Sequence, residues 1–177
     1  MYKVIYQTGL TKELEPEELN QPKYRKKPPK DACVLKGKYL IRLFDENGRL
    51  KDERAGYNVI VDDGKSFVAA FLNSAAAGAA TFTMKYIGIG TGTTAESSSQ
   101  TALVTEVART TATASNISGA IYQLTATFAA GTGTGAITEY GIFSSSSVGT
   151  MLSRDLENVI NKGASDTLTV TAQITFS

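Results

Sequence analysis

Carboxylate side chains are the groups in this sequence best suited to chemistry, because two of them can act as general acid and base on a glycosidic bond. The acidic residues scanned for such a pair are Asp45, Glu46, Asp52, Glu53, Asp62 and Asp63. They fall at predicted turns and ahead of a predicted helix, where solvation and helix capping account for them. A calcium loop starting at Asp45 fails because the glycine and the final glutamate of an EF-hand are misplaced. The sequence therefore favours surface roles for these carboxylates over catalysis.

A glycine-rich stretch, residues 88–95, reads Gly-Ile-Gly-Thr-Gly-Thr-Thr-Ala and superficially matches a phosphate-binding loop. A P-loop needs a lysine that reaches the phosphates, and this stretch has none. The dinucleotide fingerprint also fails, because Ala95 stands where a glycine is required and a serine-rich segment follows. We therefore predict a loop by which the chain leaves a strand.

Histidine is absent from the 177 residues, and Cys33 is the one cysteine. The chain therefore has no Ser-His-Asp or Cys-His unit, no imidazole zinc site and no internal disulfide. For Cys33 itself, an apolar filler role and an intermolecular disulfide both stay open. A formal net charge of +1 disfavours a dedicated nucleic-acid binder. Composition favours a structural or interaction protein, and we predict no enzyme activity, cofactor or metal.

Four charged residues in the second half of the chain stand out because basic and acidic residues are sparse there. Glu106 and Arg109 are close in sequence, whereas Glu139 and Arg154 are isolated in apolar strand-like segments. An unpaired buried charge is costly, so isolated charges in such segments often pair. We predict that these residues form structural salt bridges, with a subunit interface as one location for them.

The N-terminal segment has a different chemistry. Thirteen of the 18 basic residues lie at or before Arg54, and all four prolines lie between residues 16 and 29. A charged, proline-containing segment cannot bury enough surface to fold alone. We predict an extended charged arm over residues 1–37, with a solvated tail as the alternative. The predicted contact residues of the arm are Tyr24, Arg25, Lys26, Lys27 and Lys30. Nucleic-acid phosphates or an acidic protein surface could receive them, and the acidic patch upstream weakens the first.

The elements that must position these residues are mostly strands. Strand-like segments are predicted at 38–44, 49–55, 57–61, 82–89, 107–117, 120–129, 136–143, 150–156 and 168–176. In the last one, apolar residues from Leu168 to Phe176 alternate with Thr and Gln, which is typical of a strand with one buried face. A helix is predicted near 63–75, with Asp62 and Asp63 at its start and with Phe67, Phe71, Ala70 and Ser74 on one face.

The order of these elements predicts a mainly β fold. We expect residues 38–177 to form an antiparallel β-sandwich or barrel-like domain with one short α-helix, preceded by the extended arm. No signal peptide is apparent at the N-terminus, and residues 66–84 are too rich in Ala, Ser, Gly and Thr for a membrane span.

Residues 38–177 resemble a family of small structural proteins from tailed bacteriophages. The resemblance is carried by the order of six segments, at residues 58–72, 86–95, 103–109, 137–143, 150–154 and 166–176. Among them are Asn-Val-Ile-Val-Asp-Asp-Gly-Lys-Ser-Phe, Ile-Thr-Glu-Tyr-Gly-Ile-Phe and Thr-Met-Leu-Ser-Arg. Chains of this kind look like capsid decoration (cement) proteins or fibre subunits. Residues 1–37 have no counterpart in the resemblance.

The resemblance implies a virion protein that is made in the cytoplasm of a bacterial host and binds the capsid exterior. Its partners would be the major capsid protein and further copies of itself, as a trimer, with no membrane partner. The arm residues from Tyr24 to Lys30 would then contact the capsid. The alternative is a tail or head-fibre subunit with a receptor- or glycan-binding role.

Overall fold

A computed structural model describes residues 2–5, 11–14, 34–73 and 83–177, with the backbone alone described at 2–5, 11–14, 71–73 and 116–118. The strands within these ranges are β1 (Tyr2–Ile5), β2 (Thr11–Leu14), β3 (Leu35–Phe44), β4 (Leu50–Ile60), β5 (Tyr86–Gly90), β6 (Glu106–Thr111), β7 (Thr113–Ser118), β8 (Ile121–Phe128), β9 (Gly135–Phe143), β10 (Met151–Lys162) and β11 (Thr167–Phe176). Helix α1 (Asp62–Asn73) lies between β4 and β5.

The chain divides into two compact units, Met1–Ala32 and Cys33–Ser177. In the first unit, β1 and β2 pair antiparallel, and the remainder of that unit lies outside the described residues. The second unit holds all the other elements. The predicted boundary after residue 37 falls within β3, because Leu35 already pairs with Phe176 of β11.

The second unit is built on a sheet of nine antiparallel strands in the order β6-β5-β9-β10-β4-β3-β11-β8-β7. The sheet curls into a nearly closed barrel, which confirms the prediction of a mainly β, barrel-like domain with one short helix. Closure reduces the number of exposed backbone groups, since a flat sheet of this size would leave two long free edges.

The two ends of the sheet are brought together by a short connection. β6 and β7 are the first and last strands of the sheet, yet Ala112 alone separates them in sequence. The Ala112 amide donates to the Lys85 carbonyl at 2.7 Å, and the Tyr122 hydroxyl of β8 donates to the Met84 carbonyl at 2.7 Å. These bonds tie the segment ahead of β5 to the opposite end of the sheet, so the chain itself sets the curvature.

Apolar side chains from alternate positions fill the barrel. On β11, Leu168, Val170, Ala172 and Ile174 are buried, as the alternation predicts, whereas Phe176 at the end of the strand is 39% exposed. Burial of one large aliphatic or aromatic side chain stabilises the fold by about 1.5–3 kcal/mol. A second cluster forms apart from this core, from Val61, Leu103, Phe143 and Met151.

Several predicted elements differ from those observed. The predicted strands 49–55 and 57–61 are one strand, β4, because β3 pairs with it continuously past Gly56. The predicted strand 107–117 is split at Ala112, where the chain crosses between the sheet ends. The predicted strand 150–156 continues to Lys162, since β9 offers partners that far.

Helix α1 packs on the core through a narrow face. Phe67 and Val68 contact the core cluster, Gly64 is buried, and Ala70 is exposed, so the prediction that Ala70 shares the buried face is wrong. The first turn of the helix packs closely on β10, where Gly64 lies directly against the backbone of Leu152. The side chain of Phe71 is outside the described residues, and so is Ser74.

Replacing Gly64 with alanine is expected to destabilise the protein, although alanine normally favours a helix. A Cβ atom at this position would lie 2.7 Å from the Leu152 Cα, so helix and strand would have to separate. We expect the free energy of unfolding to fall by about 1–3 kcal/mol, measured by urea titration. Ser66→Ala on the exposed side of α1 is the control and should be neutral or slightly stabilising. An unchanged Gly64→Ala variant would contradict the close approach.

Candidate functional site

A buried carboxylate, that of Glu139 on β9, is the centre of the most densely bonded polar cluster in the described residues. It accepts hydrogen bonds from the backbone amides of Gly92 at 3.0 Å, Val104 at 2.9 Å and Thr105 at 2.7 Å. The three donors belong to the loop between β5 and β6. One side chain therefore fastens both ends of that loop to the sheet, and we call this arrangement the Glu139 clasp.

Arg154 on β10 completes the clasp from the neighbouring strand. Its Nε and Nη2 atoms lie 3.0 Å and 2.9 Å from Glu139 Oε2, and both residues are fully buried. The antiparallel register sets Glu139 opposite Leu156, so Arg154 reaches it diagonally across the two strands. Arg154 Nη1 also donates to the Gln100 side chain at 3.2 Å, which holds a second point of the same loop.

The electrostatics of the clasp favour an ionised Glu139. Burial by itself would raise the pKa of this carboxyl, because desolvation penalises the charged form. The amides of Thr105 and Val104, the Arg154 guanidinium and the Gly92 amide outweigh that effect and hold the pKa of Glu139 below its ordinary value. The ion pair is thus fully satisfied on the carboxylate side, as a buried charge requires.

The glycine-rich loop surrounds an anion of the same chain, the Glu139 carboxylate. A Cβ atom on Gly90 or Gly92 would lie 2.5 Å from Glu139 Oε1, so only glycine allows the backbone to approach so closely. Thr138 donates its hydroxyl to the Gly92 carbonyl at 2.8 Å and fixes the loop further. The prediction of a loop leaving a strand agrees with β5 ending at Gly90.

The predicted salt bridges are both present within one chain. Besides Glu139 and Arg154, Arg109 Nη2 lies 2.6 Å from Glu106 Oε2 on β6. The Arg109 guanidinium stacks 3.5 Å from the centre of the Phe143 ring and donates to the Ser145 carbonyl at 3.0 Å. The Glu106–Arg109 pair therefore covers the second apolar cluster. That either ion pair lies at a subunit interface stays a prediction.

A second polar cluster lies where β4 and β10 diverge, and sequence reasoning missed it. The two strands pair at Arg154 with Val59 and at one neighbouring position, and then separate. Asp155 and Glu157 of β10 and Glu96 of the β5–β6 loop contribute carboxylates here. We call these three residues the acidic seam. Glu96 Oε1 accepts the Leu156 amide at 2.8 Å, where a strand partner would otherwise bond.

Burial makes the acidic seam electrostatically unusual. Asp155 is 1% exposed, and its Oδ2 atom has no hydrogen-bond partner among the described residues. Desolvation, followed by the charges of Glu96 and Glu157, raises the pKa of Asp155 to about 7, against a smaller opposing effect of Arg154. Burial also raises the pKa of Glu96. At neutral pH the carboxyl of Asp155 is therefore only partly ionised.

Tyr24, Arg25, Lys26, Lys27 and Lys30 lie outside the described residues, as does Cys33.

Four of the six acidic residues considered for a glycosidase pair form hydrogen bonds or ion pairs near the surface. Asp45 accepts the Asn47 and Arg49 amides at 2.8 Å in the β3–β4 turn. Glu53 pairs with Arg42 and Asp52 with Arg54, while Asp62 pairs with Lys65 in the first turn of α1.

Within the described ranges, no group of three or more acidic, cysteine or histidine residues is arranged to hold a metal ion. The helix in those ranges is not long and apolar enough to cross a membrane. Comparison with protein-family models, curated proteins and solved structures finds no match to this chain.

Proposed function

We propose that this chain is a structural subunit of a tailed-bacteriophage virion, a decoration (cement) protein that binds the outer capsid surface as a trimer and stabilises the head. The observation that carries a structural role is the Glu139 clasp. Its carboxylate accepts three amides of the β5–β6 loop and pairs with the Arg154 guanidinium, so it fastens that loop to the barrel. The virion assignment is supported by the ordered resemblance of residues 38–177 to small phage structural proteins.

A clasped, nearly closed barrel suits repeated assembly for a physical reason. Binding to a symmetric surface loses less free energy when the binding element is already rigid, because little conformational entropy remains to be lost. Closed symmetry then multiplies weak contacts by avidity. The charged arm, ahead of residue 33, would contact neighbouring subunits.

The full-length protein added to heads that lack it provides the test. We expect a trimer by light scattering, saturation at a copy number that scales with the number of capsid proteins, and a higher temperature of head disruption. Quantitative mass spectrometry of intact virions gives the copy number independently. Location on the tail, or a copy number far below that of the capsid protein, would contradict the proposal and favour the fibre alternative.

A further inference from the structure

The β5–β6 loop, residues 91–105, is attached to the barrel more firmly at its ends than in its middle. Both ends are fastened through backbone amides by the Glu139 clasp. The middle reaches β10 through Glu96, whose carboxylate accepts the Leu156 amide at 2.8 Å. Residues 93–95, just before Glu96, are exposed, so few buried contacts hold this part of the loop. We call the bond between Glu96 and the Leu156 amide the Glu96 latch.

A buried carboxyl, that of Asp155, lies next to the latch. Asp155 directly precedes Leu156 in β10 and is 1% exposed, and its Oδ2 atom has no partner among the described residues. Its backbone pairs with Tyr140 of β9, which fixes its place in the sheet. Asp155 therefore cannot reach water unless a neighbouring element moves.

Most of the charges that act on Asp155 are negative. Glu96 and Glu157 oppose its ionisation, and Arg154 favours it to a smaller extent while bonded to Glu139 at 2.9 Å. The other titratable groups around it are Tyr39 of β3, Tyr140 of β9, and Arg54 and Asp52 of β4, which pair with each other. An ionised Asp155 would therefore add a third negative charge to the acidic seam, where both arginines already have carboxylate partners.

Of the two neighbouring carboxylates, Glu96 is the one free to leave. Glu157 is packed against β4, since a Cβ atom on Gly56 would lie 2.5 Å from its Oε1 atom. Glu96 belongs to a loop segment with exposed neighbours, and its carboxylate is held by a backbone hydrogen bond. Repulsion between like charges is strongest where water is excluded. Moving Glu96 into water removes that repulsion and breaks one hydrogen bond.

We propose that ionisation of Asp155 shifts the Glu96 latch toward an open state, in which Glu96 leaves the acidic seam and the middle of the β5–β6 loop separates from β10. The Glu139 clasp keeps both ends of the loop in place, because the lowered pKa of Glu139 leaves it ionised throughout. Opening increases as pH rises toward about 7, the pKa of Asp155 with the latch closed, and levels off above it. The latch does not depend on the proposed virion role.

Hydrogen exchange of single backbone amides, followed by NMR on the full-length protein, tests the latch. We expect the protection factor of the Leu156 amide to fall about tenfold between pH 5 and pH 8. By linkage, this corresponds to a drop of about one unit in the pKa of Asp155 when Glu96 leaves. The amides of Gly92 and Thr105, which are bonded to Glu139, should keep their protection and so report that the opening is local.

Two variants separate the trigger from the moving group. Asp155→Asn stays neutral, so the fall at Leu156 should shrink to less than about threefold, with Glu96 alone still titrating. Glu96→Gln keeps an oxygen that can accept the Leu156 amide but carries no charge, so protection should be nearly equal at the two pH values. Glu46→Gln removes an equal charge from the exposed β3–β4 turn and should retain the tenfold fall.

The same measurements can contradict the latch in three ways. Constant protection of Leu156 in the native chain would show that Glu96 stays in the seam when Asp155 ionises. An equal fall at Gly92 and Thr105 would show that the whole barrel opens instead of the loop. A tenfold fall that persists in Asp155→Asn or in Glu96→Gln would show that another group causes it. Each of these results would overturn the proposal.

Discussion

Replacing Glu139 with glutamine is expected to lower the free energy of unfolding by about 3–5 kcal/mol, because it leaves the Arg154 guanidinium buried without a counter-charge. Both side chains are fully buried, so water cannot screen or solvate the remaining charge. Glutamine retains one carbonyl oxygen but cannot accept all three loop amides, from Gly92, Val104 and Thr105, with the strength of a carboxylate. Urea unfolding followed by far-UV circular dichroism measures the loss, since the chain has no tryptophan.

Two matched variants show whether the loss comes from the buried charge. Glu53→Gln breaks the Arg42–Glu53 pair, whose side chains are 47% and 46% exposed, and should change stability by about 1 kcal/mol or less. Glu139→Gln combined with Arg154→Met removes both charges and should recover part of the loss. If Glu139→Gln costs no more than Glu53→Gln, the clasp does not hold the loop.

The strand pattern of the domain could be predicted from the sequence because each buried strand face leaves a period of two. Leu124, Ala126 and Phe128 on β8 are buried as that alternation requires. The positions at which strands break were harder to predict. Ala112 carries no turn signal, and the chain divides there because the barrel must close. Tertiary geometry, rather than local preference, decides such a position.

The ion pairs could be predicted in part. An isolated charge in an apolar strand must be paired, which identified Glu139 and Arg154. The loop amides that Glu139 binds could not be foreseen, because a backbone donor leaves no mark in the sequence. The acidic seam did leave a signal, since Asp155 and Glu157 alternate along β10 and therefore share a face. The strand that the sequence predicts ends at residue 156, one residue before Glu157, so it does not include this alternation.

The free energy of unfolding is expected to contain a contribution from Asp155 that falls as pH rises, opposite to the usual behaviour of carboxylates. Asp155→Asn is expected to remove most of this contribution. The pKa of Asp155 is raised from 3.8 to about 7 in the folded protein, chiefly by desolvation. The folded state therefore binds this proton more tightly than the unfolded state does. The stability from this group is fully present below about pH 4 and is lost as pH rises to about 7, by up to about 1.4 kcal/mol per pH unit.

Asparagine keeps the shape of the protonated side chain and stays neutral, so the variant should become more stable than the native chain as pH rises through that window. The raised pKa of Glu96 and the lowered pKa of Glu139 also shape the pH profile. Glu139 acts alike in the native chain and in the variant, so the difference between the two profiles reports Asp155 together with its coupling to Glu96 when urea unfolding is measured at each pH.

Asp62→Asn provides a control of opposite sign. Hydrogen bonds from Lys65 and Ser98 lower the pKa of Asp62, so its contribution is present above about pH 4 and lost at more acidic pH. The difference in free energy of unfolding between variant and native chain should therefore change with pH in opposite directions for Asp155→Asn and Asp62→Asn, and over separate pH ranges. Parallel profiles for Asp155→Asn and the native chain between pH 4 and 7 would show that Asp155 is solvated and that the acidic seam is open to water.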